Sequence, residues 1–141
     1  MTGPVHTPFD PARSGIYRPP AAHDLLKQAA ARLGIAFFAL DLRNVGDKDR
    51  FLEACAATFG FPSSFGGNWD AFADSLQDFS WHPARGYLIH FQNALRFARS
   101  APQDYAKAMD ILGFAADYWK ERGTVFVALV DDASDRPIFG T

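Results

Sequence analysis

The chain has little of what several functional classes require. It contains one cysteine, Cys55, which excludes an intrachain disulfide and a CxxC metal or redox pair. No apolar run approaches the roughly 18 residues that a membrane-spanning helix needs. The first 15 residues carry Pro, Asp and Gly where a signal peptide needs an apolar stretch. We therefore expect a cytoplasmic protein that makes no contact with a membrane.

Basic residues are missing from a long internal segment. The net charge of -2 and the pI of about 6.0 argue against a protein that binds nucleic acid directly. Between residues 51 and 84 there is no Lys or Arg, whereas Glu53, Asp70, Asp74 and Asp78 all fall inside that window. This part of the surface should therefore carry a negative field.

The periodicity of the apolar residues predicts strands that alternate with helices. Residues 1–21 hold five of the nine prolines and are predicted to form an N-terminal arm on the surface, while residues 22–141 form the domain. Helices are predicted over 22–33, from Asp47 to Gly60, from Asn68 onward and from Pro102 to Arg122, and strands over 35–42, 87–91 and 124–130. Strands separated by helices favour a small three-stranded parallel sheet packed with helices, an α/β fold.

The stretch FGGNWDAFADSLQDFSW carries the strongest functional signal. Asn68 is placed as the N-cap of a helix on which Asp70, Asp74 and Asp78 share one face. The helix dipole favours only the first of these carboxylates, and neighbouring like charges cost about 0.2–0.5 kcal/mol per pair.

Two interpretations of this acidic face stay open. It is either an ordinary solvated polar face or the anchor for a cationic partner, because Phe65, Trp69, Phe79 and Trp81 lie close to the acids in sequence. Aromatic side chains beside charges that a partner desolvates are typical of protein interfaces.

Other chemistry finds less support in the sequence. No DxDxDG calcium loop and no GxGxxG or GK[ST] phosphate loop is present, and the four histidines lie in no catalytic motif. Cys55 falls in an apolar helix stripe and His90 in an apolar strand, which indicates structural roles for both. We predict no catalytic residue, no metal site and no cofactor. A metal-dependent hydrolase using the three carboxylates is the enzymatic alternative.

The motif Phe65-Gly66-Gly67-Asn68-Trp69-Asp70, within FPSSFGGNWDAFADSLQDFSW, resembles the barstar family of small intracellular inhibitors of barnase-type ribonucleases. The likeness extends over residues 35–130 and includes WKERG before the last strand. It implies a barstar-like fold and a partner that is a basic secreted-type ribonuclease. The implied partner-binding residues are Ser64, Phe65, Gly66, Gly67, Asn68, Asp70, Ala73, Asp74, Asp78, Phe79, Trp81 and Tyr118.

The resemblance assigns roles to some of these positions. It places the family's two inhibitory aspartates on Asp70 and Asp74, and it implies that the second enters the basic active site of the nuclease. Phe79 stands where the family has an interface tryptophan. Ala73 replaces a tryptophan of the pattern, and Tyr118 replaces an acidic residue of the late helix. A barstar-fold interaction module with a non-nuclease partner is therefore the alternative.

Overall fold

The computed structural model describes residues 9–62 and 65–140, in which helices and parallel strands alternate along the chain. The elements, in chain order, are a short 3-10 helix (Pro11–Arg13), β1 (Gly15–Tyr17), α1 (His23–Arg32), β2 (Ile35–Asp41), α2 (Lys48–Phe59), α3 (Trp69–Leu76), β3 (Gly86–Gln92), α4 (Leu95–Ser100), α5 (Pro102–Glu121) and β4 (Val125–Val130). The predicted α/β class is confirmed. Helix α4 was not predicted, because its six residues are too few to show a clear apolar period.

The four strands form one parallel sheet in the order β1-β4-β3-β2. Strand β3 lies in the interior of the sheet, so that Leu88 is opposite Phe37 of β2 on one side and Val127 of β4 on the other. All six residues of β4 are buried, as are six of the seven in β3. Burial on both faces explains why these strands are almost continuously apolar.

The prediction of three strands is wrong, because β1 adds a fourth at the outer edge of β4. This strand lies within the residues predicted as an arm. Ser14 anchors it: the hydroxyl Oγ accepts the backbone N–H of Phe126 at 3.0 Å and donates to the carbonyl of Pro11 at 2.8 Å. A three-residue strand between prolines carries no apolar periodicity, so the sequence pattern gives no signal for it. The division into arm and domain at residue 21 stays a prediction.

The sheet has two differently covered faces. Alternate strand residues pack against α2, α3, α4 and α5 around a large aromatic core that includes Phe51, Phe72 and Phe97. The intervening strand residues face the other way and pack against Phe9, α1 and Phe139. This second face is thus covered by segments near the two ends of the chain.

The predicted capping residues occupy the expected positions. The Asp47 side chain accepts the N–H of Arg50 at 2.8 Å at the start of α2, and Gly60 ends that helix with a φ of 70°. The Asn68 side chain accepts the N–H of Ala71 at 2.8 Å at the start of α3. No helix among the described residues is both long and apolar enough to cross a membrane.

Candidate partner-binding site

The loop before α3 is shaped by its two glycines. Gly67 has a φ of 67°, a left-handed conformation that a side chain would strain. A Cβ on Gly66 would lie 3.2 Å from the Nδ2 atom of Asn68. The loop therefore delivers Asn68 in the extended conformation from which its side chain caps α3. Ser64 lies outside the described residues, so its predicted contact with a partner stays a prediction.

Helix α3 is held firmly against the domain. Phe72 and Leu76 are fully buried, and the Phe72 ring meets the Phe51 ring edge-on with centroids 5.5 Å apart. At the other end of the helix, the indole Nε1 of Trp119 on α5 donates to the carbonyl of Leu76 at 2.8 Å. This bond satisfies one of the last carbonyls of the helix. The outer face of α3 is consequently presented in one orientation.

The three aspartates are exposed and carry no neutralising partner within the described residues. Ion pairs there involve other carboxylates, namely those of Asp24, Asp41 and Asp132. The prediction that Asp78 lies on the helix with Asp70 and Asp74 is wrong, since α3 ends at Leu76 and Gln77 is its C-cap. Asp78 follows the helix and accepts a hydrogen bond from Ser80 at 3.1 Å.

Asp74 and Asp78 nevertheless meet at one concave site, which we call the acidic pocket. It has a volume of about 260 Å³ and lies between α3 and the loop that precedes it. Asp74, Ser75 and Asp78 line one side, while Phe65 and Trp81 supply aromatic surface. Two unpaired carboxylates beside aromatic rings form a suitable environment for a guanidinium or ammonium group.

Trp81 is fixed in place by the domain. Its indole Nε1 donates to the carbonyl of Phe59 at 2.9 Å, and its ring meets that of Phe61 at 90° with centroids 5.7 Å apart. The ring remains partly exposed beside the acidic pocket. Because it is already ordered, it would lose little conformational entropy when a partner binds.

Phe79 departs from the expectation that it contacts a partner. It is 1% exposed and stacks on the Tyr87 ring with centroids 4.4 Å apart, within the large aromatic core. Its φ of 50° turns the chain sharply after α3, which directs the side chain inward. Trp81, two residues later, is the aromatic residue that reaches the surface.

Tyr118 occupies α5, the helix that packs against α3, and is not a lining residue of the acidic pocket. The Arg122 guanidinium lies 3.5 Å from the centre of its ring and also donates to its carbonyl at 3.0 Å. A cation therefore stands where the resemblance implies an acid. Sequence reasoning missed Arg122, although its i+4 spacing from Tyr118 was a readable signal.

Ser75 and Ala71 were also missed. Both line the acidic pocket, because residues 71, 74 and 75 follow the i, i+3, i+4 spacing of one stripe of α3. Phe65 contributes to a second pocket of about 280 Å³ on the other side of the loop, where Glu53 and Asp49 add further negative charge. The loop is thus bordered by acids on both sides.

No three His, Cys, Asp or Glu side chains within residues 9–62 and 65–140 are placed to hold a metal ion. Cys55 is buried, as expected of a small core residue, and burial raises the pKa of its thiol well above the usual value.

Comparison with known families gives a match over residues 35–131 to the family described as Barstar (barnase inhibitor). The chain belongs to the barstar family. Proteins of this family are inhibitors, which implies a protein partner such as a ribonuclease. No individual curated protein matches the chain significantly. The match begins at the first residue of β2, so β1 and α1 precede it and the segment that carries Phe139 follows it.

Proposed function

We propose that this protein inhibits a small basic ribonuclease by inserting the outer face of α3 and the preceding loop into the nuclease active site. The observation that carries the proposal is that Asp70, Asp74 and Asp78 are exposed and unpaired within the described residues. A ribonuclease binds RNA phosphates with basic side chains. Carboxylates compete for the same groups, because a guanidinium pairs with either anion in bidentate geometry.

The acidic pocket extends this proposal beyond the two family aspartates. Asp78 adds a second carboxylate to the wall that Asp74 lines, and Trp81 adds an aromatic surface. One arginine or lysine side chain of the nuclease occupies this pocket in the complex. Association is steered by the negative field, so its rate falls as salt increases.

The proposal is tested by mixing the purified protein with a panel of small basic ribonucleases and measuring RNA cleavage. Asp74→Ala should weaken inhibition of the cognate nuclease by about 30-fold or more, since truncating one partner of a desolvated charge pair costs roughly 2–5 kcal/mol. Asp110→Ala is the matched control, because Asp110 is exposed on α5, outside the acidic pocket, and its removal changes the net charge equally. Equal loss in both variants, or no inhibition of any nuclease, would contradict the proposal.

A second candidate is a barstar-fold module with a non-nuclease partner. The position of Arg122 over Tyr118 favours it, because this cation reduces the negative charge that α5 offers to a basic active site. Affinity capture from the native cell distinguishes the two functions when Asp74→Ala serves as the control bait. Recovery of a non-nuclease protein by the wild-type bait alone would favour the module.

A further inference from the structure

A separate pocket lies at the carboxyl edge of the sheet, on the face that α1 covers. His90 of β3 alternates with Ile89 and Phe91, so its side chain points away from the large aromatic core and toward α1. His23 is the first residue of α1 and lies beside it. Both imidazoles line a pocket of about 340 Å³, which is about 80 Å³ larger than the acidic pocket.

His90 is the unusual residue of this pocket. It is 6% exposed, and no hydrogen bond of its ring nitrogens is observed among the described residues. No side-chain nitrogen or oxygen there is both fully enclosed and unpaired. The unpaired His90 nitrogens therefore reach the pocket surface. A ligand that enters the pocket can therefore reach these nitrogens.

The two imidazoles are close enough to share one metal ion. Their ring centroids are 5.1 Å apart and their planes are inclined by 55°. Two imidazoles bound to one tetrahedral zinc ion have centroids about 5 Å apart, because each Zn–N bond is about 2.0–2.1 Å.

The charges around the pair favour a cation. Asp131, directly after β4, lines the same pocket, and the Asp24 carboxylate lies 4.0 Å from the His23 Nδ1 atom. Burial and the neighbouring His23 lower the pKa of His90, while Asp131 opposes this shift. A neutral imidazole is the form that ligates a metal.

We propose that His23 and His90 together bind one transition-metal ion of the zinc or nickel class, independently of the ribonuclease-binding face. The protein supplies two ligands, since no third His, Cys, Asp or Glu of the described chain is placed to join them. Water or an external oxygen or nitrogen ligand fills the remaining positions, for which the pocket has room. The site is therefore open rather than structural.

Calorimetric titration of the full chain with Zn²⁺ alone, and separately with Ni²⁺, tests the proposal. One ion should bind per chain, and both His23→Gln and His90→Gln should weaken binding at least about tenfold. His23 is partly exposed, so its variant remains informative if His90→Gln fails to fold. Proton NMR should show the ring resonances of both histidines shifting together.

His82→Gln is the matched control, because it removes one exposed imidazole that lies outside this pocket. This variant should bind zinc as the wild type does. The proposal is overturned if no saturable binding occurs, or if binding survives His23→Gln and His90→Gln. Binding that is lost with His82→Gln would assign the ion to another site.

Discussion

Asp74 and Asp78 face the same pocket, one helical turn apart, although only the first of them belongs to α3. Each carboxylate raises the energy of the other while no cation is present. The free protein therefore holds a repulsion that a bound guanidinium or ammonium group relieves. We therefore expect their mutual repulsion to lower the free energy of unfolding of the free protein, whereas both carboxylates should strengthen the binding of a cationic partner.

Asp78→Asn should raise the free energy of unfolding by about 0.2–0.5 kcal/mol, because it removes a like charge near Asp74 and near the carbonyl end of α3. Urea denaturation at low salt measures the change. This increase in the free energy of unfolding should be smaller near 1 M salt, where the screening length is about 3 Å. In an Asp74→Asn background the same substitution should stabilise less; an unchanged gain would mean that the two carboxylates do not interact.

Trp81 and Phe79 are expected to differ in how strongly they affect partner binding. Trp81→Ala should weaken partner binding by roughly 1 kcal/mol or more, because it removes an ordered aromatic surface from the acidic pocket. Phe79→Ala should instead cost about 3–5 kcal/mol of stability, since it opens a cavity in the aromatic core. Inhibition titrations and thermal unfolding of both variants measure the two effects. A Trp81→Ala variant that binds normally would remove this residue from the interface.

The sequence predicted those parts of the site that depend on local patterns. Asn68 and Asp47 are recognisable as N-caps because a cap is a contact between residues three apart. The exposure of Asp70 and Asp74 followed from the spacing of buried residues on α3. The barstar-like pattern then gave these local features a common interpretation, which the family match supports.

The features that the sequence did not reveal depend on a turn after a helix and on contacts between distant parts of the chain. The positive φ of Phe79 reverses the chain, so that Phe79 points inward and Trp81 outward, and no periodicity encodes that turn. The pairing of β1 with β4 joins residues more than a hundred positions apart through only three residues. The approach of His23 to His90 depends on how α1 crosses the sheet.

Ser14→Ala tests whether the fourth strand contributes to stability. The Ser14 hydroxyl is the acceptor for the Phe126 N–H of β4, so its loss should leave that donor unpaired and cost about 1–3 kcal/mol. Urea denaturation measures the cost. Ser100→Ala is a control elsewhere in the fold, because Ser100 is exposed at the end of α4 and lies outside the sheet. A negligible effect of Ser14→Ala would indicate that β1 detaches readily.

Asp132 should make the stability of the fold sensitive to acid. Burial alone would raise the pKa of its carboxyl group, but hydrogen bonds from Ser134, Tyr105 and Arg136 lower that pKa to about 2. The unfolded chain takes up this proton near the ordinary value of 3.8. The contribution of Asp132 is therefore complete above about pH 4 and is lost as the pH falls from there toward 2.

Thermal unfolding between pH 2 and pH 7 measures this contribution, and Asp132→Asn should reduce the slope between about pH 4 and pH 2. Asp131→Asn is the matched control. The Asp131 carboxylate is adjacent to Asp132 in the sequence, but it is exposed and makes no ion pair among the described residues. Arg136→Met should resemble Asp132→Asn in slope while lowering stability at neutral pH, since it leaves a buried carboxylate without its cation. If the slope persists in Asp132→Asn, the acid sensitivity arises from other carboxylates.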